Sequence, residues 1–256
     1  MRNLLLALFA FSVSFAAQAH EGHDDSEPAL KREVWPFSGM LGKVDKQAAQ
    51  RGFQVYKEVC SACHSLSHVA IRNLGGLGFS EPEINALAAS YTVKDGPNDA
   101  GDMFDRPGKP SDHFPSPFAN EQAARAANGG AYPPDLSLII KARHSGADYV
   151  YSILTGFQDA PADMKMADGK YYDPYFPGGQ ISMPPPLADG KVEYADGTKS
   201  TLDQEARDVV VFLQWAAEPE METRKEMGLA VLGYLAAFTL FMYVAKKRVW
   251  KHLGKH

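Results

Sequence analysis

Cysteine is nearly absent from this chain of 256 residues, which holds two, Cys60 and Cys63. Two thiols separated by two residues cannot make a disulfide framework, and a structural zinc site would need four ligands where no second cysteine pair exists. Charge is also missing at particular places. Residues 1–19 carry a single charged side chain, Arg2, and residues 227–245 carry none. Basic residues are scarce in between. Residues 20–223 hold 18 of the 26 Lys and Arg but 30 of the 31 Asp and Glu, a net charge of −12. That excess argues against nucleic acid and for a basic partner.

The two stretches without charge differ in kind. Met1-Arg2-Asn3 is a short basic start, residues 4–17 are largely apolar, and Ala17-Gln18-Ala19 has the small-x-small pattern of a signal-peptidase site. We read residues 1–19 as a cleaved export signal, with the mature chain outside the cytoplasm. The following His20-Glu21-Gly22-His23 reads as a solvated acidic tail rather than a metal site. Residues 227–245 would make roughly 28 Å of helix, the thickness of a hydrocarbon core. They are apolar all round, as a buried soluble helix seldom is. Lys246, Lys247, Arg248 and Lys251 follow, so the C-terminus is expected in the cytoplasm, with Tyr234, Tyr243 and Trp250 as interfacial aromatics. The expected layout is a signal at 1–19, a periplasmic domain at 20–223, an anchor and its approach at 224–245, and a basic cytoplasmic tail at 246–256. The expected place is the inner membrane of a bacterium, crossed once.

Cys60-Ser61-Ala62-Cys63-His64 matches the C-x-x-C-H sequence that attaches haem covalently. Two thiols three residues apart on one helical turn can reach both vinyl groups, and the adjacent histidine then falls under the iron. A thioredoxin-like pair would want a strand before it and would not need the histidine. Upstream, Asp45 is a plausible N-cap, and Ala48, Ala49, Gly52, Phe53, Val55, Tyr56 and Val59 recur at helical spacing. Gly52 could admit another helix closely.

The second axial ligand is less determined. Met183 precedes Pro184-Pro185-Pro186, a stiff extended segment that would present a thioether, although a methionine beside a proline turn is often only packing. On spacing alone Met164, Met166, His68, His113 and His144 stay open. Downstream, Thr201-Leu202-Asp203-Gln204 has the form of a capping box opening a helix to Ala217, with Ala206, Val209, Val210 and Leu213 on its apolar face and Pro219 ending it. Helix, C-x-x-C-H, long middle, Met loop and final helix is the order of a class I cytochrome c domain. The expected fold class is therefore mainly α, a class I cytochrome c-like domain with long loop insertions plus one C-terminal transmembrane helix. Residues 81–117, rich in Asp, Gly and Pro, read as a surface excursion without bearing on function.

The middle of the chain resembles the cytochrome c1 family. The likeness rests on Trp35-Pro36-Phe37-Ser38-Gly39, Arg51-Gly52-Phe53-Gln54-Val55-Tyr56, Asn128-Gly129-Gly130-Ala131-Tyr132-Pro133-Pro134-Asp135-Leu136, Tyr149-Val150-Tyr151-Ser152 and Tyr172-Asp173-Pro174-Tyr175-Phe176-Pro177-Gly178-Gly179, in that order. The resemblance implies one haem c bonded to Cys60 and Cys63, His64 and Met183 as axial ligands, Arg125 near a propionate, and residues 133–136 against the haem edge. Without it, Arg125 would read as a solvated helix residue. It also implies a subunit of a dimeric quinol–cytochrome c reductase. Electrons would arrive from the Rieske iron–sulfur protein and leave to cytochrome c, with the anchor beside cytochrome b in the lipid bilayer and no bond chemistry in this chain. The rivals are an independent membrane-tethered cytochrome serving an oxidase, and a haem enzyme or gas sensor with an open sixth position. Asp95, Asp99, Asp102 and Asp105 are candidates for the field that steers a basic acceptor.

Overall fold

Asp45 starts the first helix as its sequence suggests, its carboxylate accepting from the backbone N–H groups of Gln47 and Ala48 at 3.0 and 3.1 Å. The computed structural model describes residues 28–253. The segment read as an export signal, and the His20-Glu21-Gly22-His23 start, lie outside the described residues. Helix α1 (Lys46–Glu58) buries Ala48, Ala49, Gly52, Phe53, Val55 and Tyr56. Its main partner is α5 (Leu202–Ala217), which comes nearly 150 residues later and is buried on almost every face.

The two helices cross at Gly52. A Cβ there would lie 1.9 Å from the Asp208 carbonyl oxygen and 2.8 Å from the Phe212 Cβ, so only hydrogen fits. Next to the crossing, Arg51 grips the buried Asp208 carboxylate through two bonds of 2.8 and 3.0 Å and reaches Asp196 at 3.1 Å. A fork meeting a carboxylate in this way fixes the register of the two helices as well as their contact. Phe53, Tyr56, Phe114 and Phe212 form the aromatic centre of the core, with ring centroids 5.5–6.2 Å apart. At the start of α5, Thr201 accepts from the Gln204 N–H, while the Leu202 N–H is taken by Asp189. The buried Glu205 accepts from the Val192 N–H and the Ser200 hydroxyl.

Residues 81–117 are more than a surface excursion, and that expectation is corrected. They form α2 (Glu81–Ala89), whose first turn is stapled by Glu83 accepting from the N–H and hydroxyl of Ser80. An antiparallel hairpin follows, β1 (Thr92–Asp95) with β2 (Phe104–Pro107), held by Arg106 between Asp95 and Asp112. Ile84, Ala88 and Phe114 are buried in the common core. Composition misled because the polar, Gly- and Pro-rich hairpin outnumbers the few apolar side chains that anchor it.

Two short helices come next, α3 (Glu121–Ala127), capped by Asn120, and α4 (Gly146–Gly156), which packs on α5. A two-residue pairing of β3 (Tyr171–Tyr172) with β4 (Gln180–Ile181) precedes the proline segment. The last helix, α6 (Met221–Leu253), has 33 residues. Among the described residues it alone is long and apolar enough to cross a membrane, with a mean hydropathy of 1.9 over its apolar window and no burial of that window by the rest of the chain. A row that includes Leu232, Leu235, Phe238 and Phe241 standing free would be untenable in water, so α6 is a single membrane-spanning segment. The helix starts at Met221, itself in the core, so residues 224–226 belong to the same rod. It also continues through the basic residues after 245.

Gly52→Ala should lower the stability of the chain by at least about 1–3 kcal/mol, the usual cost of overpacking a closed contact. A denaturant midpoint equal to that of the parent would mean that α1 and α5 can part without cost.

Candidate functional site

Helix α1 ends at Val59, whose N–H still reaches the Val55 carbonyl at 2.9 Å, and the chain tightens into a 3₁₀ turn at Cys60–Ala62. The N–H groups of Cys63 and His64 both donate to the Cys60 carbonyl, at 3.1 and 2.8 Å. The turn therefore carries both thiols and the imidazole as a continuation of the helix that the Gly52 crossing fixes. Cys60 is half-buried and Cys63 exposed. Burial, helped by the neighbouring Cys63, pushes the Cys60 thiol up to about 12.

His64 is oriented from outside its own turn. Its Nδ1 lies 2.8 Å from the Pro134 carbonyl oxygen. A carbonyl can only accept, so Nδ1 carries the proton and Nε2 is left with a free lone pair. Burial lowers the imidazole's affinity for a second proton, against the opposing pull of Pro134 and Asp135. The carbonyl of His64 accepts from the Tyr56 hydroxyl at 3.2 Å.

Pro134 is held there by Asp135. The carboxylate accepts from the Ser65 hydroxyl (2.7 Å), the Ser67 N–H (2.8 Å), the Ser67 hydroxyl (2.7 Å) and the Ser137 N–H (2.8 Å). The backbone adds Leu136 N–H to Ser65 carbonyl at 2.9 Å, and His68 N–H to Ser137 hydroxyl at 3.1 Å. Burial opposes the charge on Asp135, yet the bonds from Ser137, Ser67 and Ser65 hold the carboxyl well below the usual range. The sequence singled out the turn at residues 133–136 but not this clasp. Two segments 70 residues apart leave no local signal of their pairing.

A cleft opens between Cys63 and Ser65 on one side and residues 116–121, Ala124 and the Tyr132-Pro133 step on the other. Arg125 sits at its rim, between Ala124 and the Tyr132 ring, with its guanidinium 5.6 Å from the ring centroid. It pairs with Glu121 at 2.7 Å and donates to the Gly130 carbonyl at 2.9 Å. Met183 stands on a different element. It follows β4 directly, half-buried, between the buried Ile181 and the exposed Pro184 and Pro185. Of the other candidate ligands, His68, His113 and His144 are exposed, Met166 is half-buried, and Met164 packs toward Gly179.

The loop before Met183 is built on Asp173, which has no exposed surface. One carboxylate oxygen accepts from the Tyr175 N–H at 2.9 Å, and the other has no partner among the described residues. Burial outweighs that bond and pushes the carboxyl up to about 6. Gly156, the last residue of α4, leaves room for this loop, since a Cβ there would come within 2.8 Å of the carboxylate and 2.6 Å of the Tyr175 ring.

The Cytochrome C1 family model matches residues 35–253, nearly all of the described chain. The chain belongs to the cytochrome c1 family. Near full-length likeness agrees: it is 47% identical to the cytochrome c1 of Rhodospirillum rubrum over 271 aligned positions, covering 100% of this chain and 98% of that protein. It is 52% identical to a mitochondrial cytochrome c1 heme protein of Solanum tuberosum over 232 positions, covering 90% of this chain and 89% of the other. Similarity to the cytochrome b/c1 of Bradyrhizobium diazoefficiens reaches 50% over 266 positions, and there this chain spans 38% of the relative's length. Membership in the cytochrome c1 family implies a covalently bound haem c and a role in electron transfer, with no bond chemistry of the chain's own. The donor chemistry here fits such a group. Two free thiols share one turn, the adjacent imidazole offers an unprotonated Nε2, and a cleft lies beside them.

The raised Asp173 carboxyl makes a pH prediction. A carboxyl that binds its proton more tightly folded than unfolded costs nothing below the ordinary range near 4, and its penalty grows as pH rises through about 6. Asp173→Asn should therefore be little different from the parent near pH 4 and more stable above pH 6, by up to about 3 kcal/mol. Denaturation midpoints of the haem-loaded proteins across pH 4 to 8 test this, and parallel curves would contradict it.

Proposed function

We propose that this chain is the electron-relay subunit of a membrane quinol–cytochrome c reductase, with one haem c bonded to Cys60 and Cys63. In this reading His64 Nε2 and the Met183 sulfur are the axial ligands, and Arg125 faces a propionate. The bond from His64 Nδ1 to the Pro134 carbonyl carries the proposal. A metal-ligating histidine is commonly held by a donation from its other nitrogen, which sets the tautomer and strengthens the ligand. On the turn that bears both thiols, this arrangement has no evident structural need.

The bound haem supplies a one-electron iron couple. The chain's residues tune and shield it. Asp135 keeps Pro134 aimed at the imidazole, so the ring does not rotate between redox states. The stiffness of Pro184-Pro185-Pro186 presents the Met183 thioether without a hydrogen-bond ladder, and His–Met ligation favours a relatively high potential. Arg125 pairs with a carboxylate already, and a propionate offers its guanidinium the same chemistry.

In the complex, electrons come from the Rieske iron–sulfur protein and pass to cytochrome c, and α6 lies beside cytochrome b in a dimer. The basic residues after the apolar run favour a cytoplasmic C-terminus and a periplasmic haem domain at a bacterial inner membrane. Lys247 and Lys246 lie over the rings of Tyr243 and Trp250, at 5.0 and 5.6 Å, an arrangement suited to an interface. The acidic charge of the domain suits a basic acceptor. Asp95 and Asp105 contribute less to that field than expected, since Arg106 and Lys94 pair with them, while Asp99 and Asp102 remain exposed.

Met183→Leu should leave the haem attached, allow the reduced protein to bind carbon monoxide, and lower the midpoint potential by on the order of 0.1 V within the ~0.8 V span that axial ligands command. An unchanged potential without carbon monoxide binding would move the ligand to another residue. Gentle detergent extraction of active membranes should bring a b-type cytochrome and an iron–sulfur protein with this chain. Recovery of the chain without them would favour an independent tethered cytochrome instead.

A further inference from the structure

The chain between the buried Trp35 and α1 makes a tight loop beside the root of α6. Trp35 and Phe37 stack at 5.5 Å and are buried, which fixes one arm of the loop to the core. Backbone bonds from Ser38 to Trp35 and from Lys43 to Pro36, both 3.0 Å, close it. At Gly42 a Cβ would lie 2.0 Å from the Ser38 carbonyl oxygen, so the two arms touch through backbone alone. Gly39, with φ +72°, turns the chain at the tip.

What the tip presents is apolar. Met40 and Leu41 are 66% and 78% exposed, while the aromatic residues behind them are covered. Such side chains on a loop this constrained cannot fold back onto the core. The loop is also fastened to the anchor. Lys225 donates to the carbonyls of Phe37 and Gly42, at 2.7 and 2.9 Å, one on each arm. Glu222 accepts from the Val44 N–H at 3.0 Å, and Lys43 approaches Glu226 at 4.0 Å. These contacts lie in the turn of α6 immediately before its apolar run begins at Met227.

We propose that Met40 and Leu41 form a second membrane contact, a loop tip that enters the edge of the bilayer where α6 enters it. The occupant is lipid because the tip is tied to residues 222–226 of a helix whose next residues are themselves lipid-facing. Lys43 suits that place, since a long amphipathic side chain can lay its stem along apolar surface and keep its charge at the headgroups. With the anchor, the tip makes two points of attachment, which restrict rotation of the haem domain about the axis of α6. The inference rests on α6 spanning the membrane.

The test uses the full haem-loaded chain, whose native thiols are consumed by the haem, reconstituted alone into dioleoyl phosphatidylcholine vesicles. Nitroxide labels are placed singly by Met40→Cys, Leu41→Cys, Phe238→Cys and Asp99→Cys, and relaxation by dissolved oxygen is compared with relaxation by a water-soluble nickel chelate. Labels at 40 and 41 should fall between those at 238 and 99, with more oxygen and less nickel relaxation than the exposed reference at 99. Strong nickel relaxation at 40 and 41 would overturn the contact while leaving the anchor intact. Weak relaxation by both agents would also overturn it, because that pattern marks a protein surface. Strong nickel relaxation at 238 would remove the spanning helix and the inference with it.

Discussion

The approach of α1 and α5 at Gly52 is the constraint on which the rest of the molecule depends. Backbone meets backbone there, and the Arg51–Asp208 pair beside it leaves one register for the two helices. The turn of Cys60–His64 and the membrane helix lie at the ends of these two rods. The far end of α1 runs into the turn of Cys60, Cys63 and His64. The far end of α5 is separated from α6 by Glu218, Pro219 and Glu220 alone, so the anchor inherits the same frame. A buried ion pair contributes little net stability once desolvation is counted. Its value here is geometric, since it tells the helices how to cross.

A second tier of contacts works across long sequence distance. Pro134 reaches His64, Asp135 gathers Ser65, Ser67 and Ser137, and Glu222 and Lys225 gather the loop before α1. In each case a polar side chain or a carbonyl hydrogen-bonds groups on a remote segment, and Lys225 holds two backbone carbonyls at once. This is how a domain with two very short β pairings fixes its loops, replacing ladder bonds with charged or ring donors and acceptors.

The parts legible in the sequence were those whose signal is local. Asp45 capped α1, the apolar spacing from Ala48 to Tyr56 found its buried face, and Gly52 was noticed as a place where a helix could come near. The C-x-x-C-H spacing pointed to the single turn that carries both thiols and the imidazole. Met183 was only one of six ligand candidates by spacing, and family resemblance selected it. Other features were hidden for physical reasons. The Pro134 carbonyl is a backbone atom, which no residue type announces. Phe114 is one apolar residue in a polar run, so averaging concealed its place in the core. Nothing in the sequence marks Glu222 and Lys225, yet each hydrogen-bonds backbone in the loop before α1.

The chain separation between the Cys60 turn and α5 has a consequence for the order of assembly. Non-local contacts close last, because the loop between them must first be made and ordered. About 150 residues divide Cys63 from the end of α5, and at ~5–20 residues per second of synthesis that is on the order of ten to thirty seconds. Throughout that interval α1 lacks the helix that buries it, and Cys60 lies as open as Cys63. The sequence position of α5, directly before the anchor, thus leaves the turn of Cys60, Cys63 and His64 without its packed frame until the last part of the domain is made.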